Sequence, residues 1–372
     1  MKRTEPPVGR TASRLPLVVF GAIVIFSMSA VSAGVIEPAR RDARAGQDGA
    51  DRKGTVWVVN RDRGELAIFD AGTGKLLTTR DVGAGAHDIC ISEQAGRAYI
   101  TAETDNAVTV VDTETLEKAS IPVGPGPHHI EPSNDGHTIY VSLLSHTAGG
   151  DGAQYAVIDT RDHSVSYRTS SPDAGTRSHA ITPTLDGETL YIAHDTGNRV
   201  TGVNAESGAP NFTLLNIPRA EETAASRSGE VLWVSARGGN AVMRVDLTSN
   251  PVAVSDSIPV GSQPESMMLT PNERTLVVSL RGSPASLSFV DTLTLTAFPL
   301  VRIGPEDTSL GDLAVMTQNG HFVYATYDNG ITGTGGIAVV DARTREVVDR
   351  WQYPSAGRPH GIWYSTMTPR NR

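Results

Sequence analysis

The chain has 372 residues, a formal net charge of −9 and a sequence isoelectric point near 5.6. This acidic balance lacks the basic footprint of a general nucleic-acid binder, so we expect no nucleic acid among the partners. Glycine (37) and proline (22) are frequent and aromatic residues make up only 5% of the chain, which suits short strands joined by tight turns. A single cysteine, Cys90, excludes an internal disulfide.

Residues 1–34 predict an export signal. Lys2 and Arg3 open a basic segment, Leu15 to Val31 form an apolar run, and small residues precede Gly34. The run approaches the length of a membrane span, so a retained N-terminal anchor is the alternative and would be the only contact with a membrane. Both alternatives place the rest of the chain in the periplasm, outside the cell or at the cell surface.

The rest of the chain divides into three predicted regions. A charged, glycine- and alanine-rich stretch with no apolar period predicts a flexible linker. A repetitive region follows, and a short polar segment predicts a disordered tail. Their bounds are 35–54 for the linker, 55–366 for the repeats and 367–372 for the tail.

One short extended motif recurs seven times from Thr55 onward. It reads WVVN at Trp57, YITA at Tyr99, YVSL at Tyr140, YIAH at Tyr191, WVSA at Trp233, VVSL at Val277 and YATY at Tyr324. A second apolar run follows each motif and ends in an acidic or amide residue: Asp70, Asp112, Asp159, Asn204, Asp246, Asp291 and Asp341. These end residues recur every 42 to 50 residues, which is the length of a four-stranded propeller blade.

The repeats predict an all-β, seven-bladed β-propeller with four-stranded blades. The repeat region begins with the second strand of a blade, at Thr55, and ends with a first strand, GIWYST, from Gly361 to Thr366. We therefore expect the C-terminal strand to join the N-terminal blade and close the ring, because closure removes exposed sheet edges.

These motifs resemble the YVTN-repeat β-propeller family of exported and surface-layer-type proteins. The resemblance covers roughly residues 55–366, although YVTN itself never occurs intact. It implies a propeller fold and export, and it says little about function, because this fold hosts binding proteins, dehydrogenase subunits and lactonases alike.

The innermost strands bring one polar residue per blade to the mouth of the central channel. The seven predicted residues are His87, His128, His179, Glu222, Glu265, Asp312 and His360. His129 neighbours this ring, and the loops that join second and third strands add His194, Arg237 and Arg281 to the same face. Loops on a rigid scaffold commonly carry the functional residues, so this face is the predicted ligand-binding site.

Two interpretations of the ring remain open. Imidazole and carboxylate groups are ligands for divalent transition metals, and His87, His128, His179 and His360 are the candidates. The alternative is a water-filled channel lined by polar side chains that bond to one another, because the tight ligand spacing of a metal motif is absent. No cofactor is certain from the sequence.

The sequence favours a non-enzymatic, monomeric exported propeller that binds an envelope protein, a cell-envelope polymer or a small ligand on its His-rich face. The long loops Leu144–Gln154 and Tyr327–Gly336 lie on this face and are candidate docking elements. The alternative is an enzyme that uses the same face, either a metal-assisted hydrolase of lactonase type or a subunit of an exported dehydrogenase. No nucleophile, phosphate-loop or zinc-protease motif is present.

Overall fold

The computed structural model describes residues 52–145, 152–171, 173, 175–329 and 333–370. The predicted export segment, most of the predicted linker, the centres of both long loops and the last two residues lie outside the described residues. Within the described part, the one helical segment is a 3₁₀ turn at Arg237–Gly239. None of the described helices has the length and apolar character needed to cross a membrane.

Strands account for nearly all regular structure in the described residues, and neighbouring strands in each sheet are antiparallel. The strands of the first half are β1 (Thr55–Asn60), β2 (Glu65–Asp70), β3 (Leu76–Asp81), β4 (Ala86–Ser92), β5 (Arg97–Ala102), β6 (Ala107–Asp112), β7 (Lys118–Pro122), β8 (Pro127–Pro132), β9 (Thr138–Leu143), β10 (Ala153–Asp159), β11 (Val165–Ser171), β12 (Ala180–Pro183), β13 (Thr189–His194), β14 (Arg199–Asn204) and β15 (Pro210–Leu215). Those of the second half are β16 (Ala220–Ala225), β17 (Val231–Ala236), β18 (Ala241–Asp246), β19 (Ala253–Pro259), β20 (Pro264–Leu269), β21 (Thr275–Leu280), β22 (Ser286–Asp291), β23 (Thr296–Ala297), β24 (Val301–Arg302), β25 (Leu310–Met316), β26 (Phe322–Asp328), β27 (Gly336–Asp341), β28 (Glu346–Gln352) and β29 (Pro359–Ser365).

The strands form seven sheets, which confirms the predicted seven-bladed propeller. Six of the blades run from an innermost to an outermost strand in chain order, as in β4-β5-β6-β7. The sixth blade differs because its outer strand is broken into β23 and β24, which both pair with β22. Pro299 lies in the break and has no backbone N–H to donate to a neighbouring strand.

The last strand closes the ring, as predicted. β29 pairs with β1 to complete the first blade in the order β29-β1-β2-β3, with Trp363 opposite Trp57 and Ser365 opposite Thr55. β29 also lies beside β4 and β25, the innermost strands of the two adjacent blades. Every innermost strand therefore has a neighbour on both sides.

The core lies between the blades. The aromatic residues of the repeated motif are buried there: Trp57, Tyr99, Tyr140, Tyr191, Trp233 and Tyr324. Each belongs to an apolar cluster shared with the next blade; Tyr324, for example, packs with Phe69 and Val56 of the first blade. No blade could bury both faces of its sheet alone, so stacking is what stabilises each one.

The acidic or amide residue that ends each third strand caps a turn. The side-chain Oδ1 of Asp70 accepts a hydrogen bond from the backbone N–H of Thr73 at 2.8 Å, and Asn204 does the same for Ser207 at 2.8 Å. These residues are therefore structural turn formers rather than parts of a binding site.

The chain that follows β29 contacts the propeller through several side chains. Thr55 Oγ1 donates to the carbonyl of Met367 at 2.6 Å, and the Arg370 guanidinium pairs with Glu114 at 2.8 Å. These contacts hold residues 367–370 of the predicted tail against the first and second blades.

Candidate functional site

A β-bulge at the start of the innermost strand sets the geometry of the channel mouth. In β8, Pro127 pairs with Leu143 and Ile130 with Val141, so His128 and His129 together oppose one residue, Ser142. The same register shift occurs in six of the seven blades. A bulge places two consecutive side chains at one site instead of on opposite faces.

The register corrects one predicted member of the ring. In β16, Ala220 pairs with Ala236 and Thr223 with Val234, so Glu221 is the first residue of the bulge. Glu221 is therefore equivalent to His128, and the prediction that Glu222 holds this position was wrong. Glu222 takes the second bulge position, equivalent to His129.

Hydroxyl groups of the second strands hold these bulges in place. Thr101 Oγ1 accepts the N–H of Asp88 at 3.0 Å and donates to the carbonyl of His128 in the next blade at 2.7 Å. The same two-sided bonding recurs at Ser142 and Ser235. Each hydroxyl satisfies an N–H that the bulge removes from the strand ladder and ties one blade to the next.

Replacing Ser235 with alanine should lower the free energy of unfolding by about 1–3 kcal/mol, because the Glu222 N–H and the Glu265 carbonyl would both lose a buried partner. Ser235→Thr should stay close to wild type, since threonine fills the equivalent position at Thr101. Ser120→Ala on an exposed outer strand is the control, with an expected change within about 0.5 kcal/mol. Urea unfolding measures all three; equal losses for Ser235→Ala and Ser120→Ala would contradict the structural role.

Five imidazoles gather at the channel mouth and form what we call the histidine cluster: His87, His128, His129, His179 and His360. The ring centroids of His87 lie 3.7 Å from His128 and 4.0 Å from His360. Their exposed fractions are only 2% to 7%. The structure thus brings together all four histidines predicted from the sequence and adds His129 to them.

Several ring nitrogens of the histidine cluster lack a protein partner. His128 Nε2 lies 3.2 Å from His179 Nε2, and His179 Nδ1 faces the carbonyl of Glu221 at 2.9 Å. Among the described residues, nothing hydrogen-bonds the buried Nδ1 atoms of His87, His128 and His360. Buried polar atoms nearly always have a hydrogen-bond partner, so three unpaired ring nitrogens in one cluster are unusual.

Burial, together with repulsion from neighbouring imidazole and guanidinium groups, lowers the pKa of His87, His128 and His360 well below the usual range. These three rings are therefore neutral at physiological pH. Neutral imidazole is the form that binds a metal ion.

His129 is held differently from the other imidazoles. Its Nδ1 lies 2.9 Å from Asp88 Oδ2, and burial of the ring is outweighed by Glu222 and Asp88, which raise the pKa of His129 to about 10. A carboxylate that accepts the Nδ1–H of a histidine fixes the ring and directs Nε2 away from it.

Arginine side chains neutralise the carboxylates of the ring. Arg237 lies 3.0 Å from Glu221 and 2.8 Å from Glu265, and Arg219 also pairs with Glu221 at 2.7 Å. Although burial opposes it, a hydrogen bond from His179 and these arginines lower the pKa of Glu221 to about 2. The predicted Arg237 is therefore a partner of the acidic half of the ring.

Arg281 has the same role on the other side of the mouth. Its guanidinium lies 2.6 Å from Asp312, whose charge raises the pKa of Arg281. Asp312 in turn lies 3.0 Å from His360 Nε2. His194, by contrast, lies outside the histidine cluster: its Nδ1 faces the carbonyl of Arg177 at 3.1 Å, and burial lowers its pKa to about 4.

Two groups of side chains in the described structure are close enough to hold a metal ion. Ligand atoms of His87, His128 and His129 all lie within 4.8 Å of one another, and those of His179, Glu221 and Glu265 do so as well. Arg237 already contacts both carboxylates of the second group, which disfavours a second cation there. The three-imidazole group has no ion pair with arginine and is the better metal site.

No protein-family model and no curated protein sequence matches the chain, so its resemblance to the YVTN-repeat family stays a prediction. The periplasmic gluconolactonase PpgL of Pseudomonas aeruginosa is structurally similar, with a TM-score of 0.63 and 14% identity over 84% of this chain and 98% of that one. The hydrazine synthase of Kuenenia stuttgartiensis matches with a TM-score of 0.63 and 18% identity, covering 78% and 93%. The dihydro-heme d1 dehydrogenase NirN matches with a TM-score of 0.59 and 15% identity, covering 84% and 75%. Likenesses at such identities concern the fold alone.

Proposed function

We propose that this chain is an exported metalloprotein whose histidine cluster binds a divalent transition-metal ion at the mouth of the propeller channel. The observation that carries the proposal is that ligand atoms of the buried His87, His128 and His129 lie within 4.8 Å of one another, while the Nδ1 atoms of His87 and His128 have no hydrogen-bond partner among the described residues. Leaving each such atom unpaired costs about 1–3 kcal/mol, a cost that a bound metal ion would offset.

Burial distinguishes a metal ion from a macromolecular partner. The imidazoles of the cluster are almost inaccessible, so a protein or polymer surface could not reach them. A single ion could.

The surroundings of the cluster also suit a metal centre. Asp88 fixes the His129 ring, as carboxylates commonly do for ligating histidines. Glu221, Glu265 and Asp312 are held by arginines and by His179 or His360, so they orient imidazoles and supply negative charge nearby. We assign ligand roles to His87, His128 and His129, and binding of the ion would displace the Nε2 proton of His129.

Metal-assisted hydrolysis is the reaction class that such a site would serve. A divalent ion held by three imidazoles keeps a position open for water or substrate and acts as a Lewis acid there. PpgL, described as a periplasmic gluconolactonase, has this fold, which makes lactones the first substrates to assay. Export rests on the N-terminal segment 1–34.

Elemental analysis of the chain purified from its native compartment and dialysed without chelator tests the proposal. About one equivalent of zinc, manganese, iron or copper per chain is the expected result for such a site. The double variant His87→Ala/His128→Ala should lose it, whereas His137→Ala, an exposed histidine on a turn, should retain it. Circular dichroism checks that the double variant is folded. Wild-type protein that holds no metal and takes none up would overturn the proposal.

A second candidate function, binding of a small ligand without catalysis, is favoured by a cavity in the central channel. That cavity shares His129 with the histidine cluster but is otherwise lined by different residues.

A further inference from the structure

The central channel holds a cavity on the inner side of the histidine cluster, with a volume of about 350 Å³. All seven innermost strands contribute to its wall. The wall runs from the bulge residues Asp88, His129 and Glu222 toward the other ends of these strands, at Pro183 and Met316. This volume is at the small end of the range for sites that enclose small molecules.

The two sides of the cavity differ in chemistry. The second, third and fifth blades contribute the carboxylates of Asp88, Glu131 and Glu222, which surround the imidazole of His129. The sixth, seventh and first blades contribute an apolar wall, with Met268, Met316, Leu313, Val315, Ile362 and Trp363. No lysine or arginine is among the residues that line it.

Two of the three carboxylates of this cavity, those of Glu131 and Glu222, are poorly compensated by the protein, whereas Asp88 pairs with His129. Among the described residues, none donates a hydrogen bond to the side chain of Glu131, and the closest charged partner of Glu222 is His129 Nδ1 at 3.9 Å. Glu221, by contrast, forms ion pairs with two arginines, Arg219 and Arg237.

We propose that this cavity binds a small organic cation, a primary amine with an apolar body. The ammonium group would lie between Glu131 and Glu222, where it supplies the positive charge and the donors that the protein does not. The apolar body would lie against Met268, Met316 and Trp363, and the face of an indole ring also attracts a cation.

Other classes of ligand fit the cavity less well. An anion would face three carboxylates, and a neutral apolar molecule would leave those of Glu131 and Glu222 without a close partner. A hydrated metal ion would gain nothing from the apolar half of the wall. The proposal goes beyond the metal site, because neither Glu131 nor Glu222 is assigned as a metal ligand.

Titration calorimetry of the full chain with n-hexylamine, and with 1-hexanol as its neutral counterpart, tests the proposal. The amine should bind at least about tenfold more tightly than the alcohol, since only the amine donates charged hydrogen bonds. Glu131→Gln should weaken amine binding about tenfold by the same reasoning, and Glu346→Gln, on an exposed outer strand, should not.

Equal binding of amine and alcohol, no binding of either, or displacement of the amine by magnesium ions with no effect of Glu131→Gln would overturn the proposal. Thermal unfolding of Glu131→Gln shows whether the variant is folded, and binding of hexanol at wild-type affinity shows that its channel is intact. Metal content measured on the same samples keeps failure of the metal site distinct from failure of the amine site.

Discussion

A chain that ends at Arg358, and so lacks β29, should fail to fold. β29 supplies the innermost strand of the first blade and lies against β4 and β25 of the adjacent blades. Its loss would expose one edge of β1 and open two interfaces between blades. That loss is large compared with the roughly 5–15 kcal/mol that stabilises a typical native protein.

The measurement is urea unfolding followed by tryptophan fluorescence, with gel filtration to detect aggregates. A chain that ends at Ser365 is the matched control, because it keeps all of β29 and loses only the contacts made by the residues that follow, such as those of Thr366, Met367 and Arg370. We expect a cooperative transition for the control and none for the shorter chain. A cooperative transition of both chains at the same urea concentration would show that ring closure is dispensable.

Replacing Glu221 with glutamine should destabilise the propeller by about 3–5 kcal/mol, the usual cost of breaking a buried ion pair. Glu221 is fully buried and contacts Arg219, Arg237 and His179 within 3.0 Å. The variant would leave Arg237 beside Glu265 alone and remove the group that orients His179.

The adjacent residue provides a sharp control for this variant. Glu222→Gln makes the same chemical change one position along the chain, but Glu222 has no arginine partner among the described residues and lies 3.9 Å from His129. We expect a change within about 1 kcal/mol, because a neutral amide avoids the cost of burying an unpaired charge. Urea unfolding after chelator treatment keeps metal binding out of the comparison. Equal losses for the two variants would contradict the different environments described here.

Most of the architecture follows from the repeat. The motif at Trp57 and its six counterparts mark the second strands, and the spacing of the acidic end residues gives four strands per blade. The pattern also predicted that the segment at Gly361 would close the ring. Short-range alternation and turn residues are sufficient for this because each blade is built from local antiparallel pairs.

The identity of the ring residues was harder to predict, and Glu221 shows why. A period of two predicts that consecutive residues point to opposite faces, but a bulge adds one residue and breaks the alternation. Nothing in EE at positions 221–222 tells which glutamate comes first in the bulge. The signal that could have helped is the Thr or Ser in the third position of YITA, YVSL and WVSA, because that hydroxyl holds the bulge.

The contacts within the site could not be predicted from the sequence, because they join residues that are far apart along the chain. His87 and His360 are in contact although 273 positions separate them, since both lie at the start of innermost strands. The arginine partners of the acidic residues, and the separation of the channel into a histidine cluster and an acid-lined cavity, likewise arise only when seven strands converge.

The pairing of β1 with β29 also determines the order in which the molecule can be completed. Because Thr55 pairs with Ser365, the chain between them has to be synthesised before the first blade has its innermost strand. Contacts this distant along the chain slow folding, and until they form the unpaired edge of β1 can recruit strands from other chains. Mutations in β29 should therefore appear first as low yield of soluble protein, before any effect on the activity of the mature propeller.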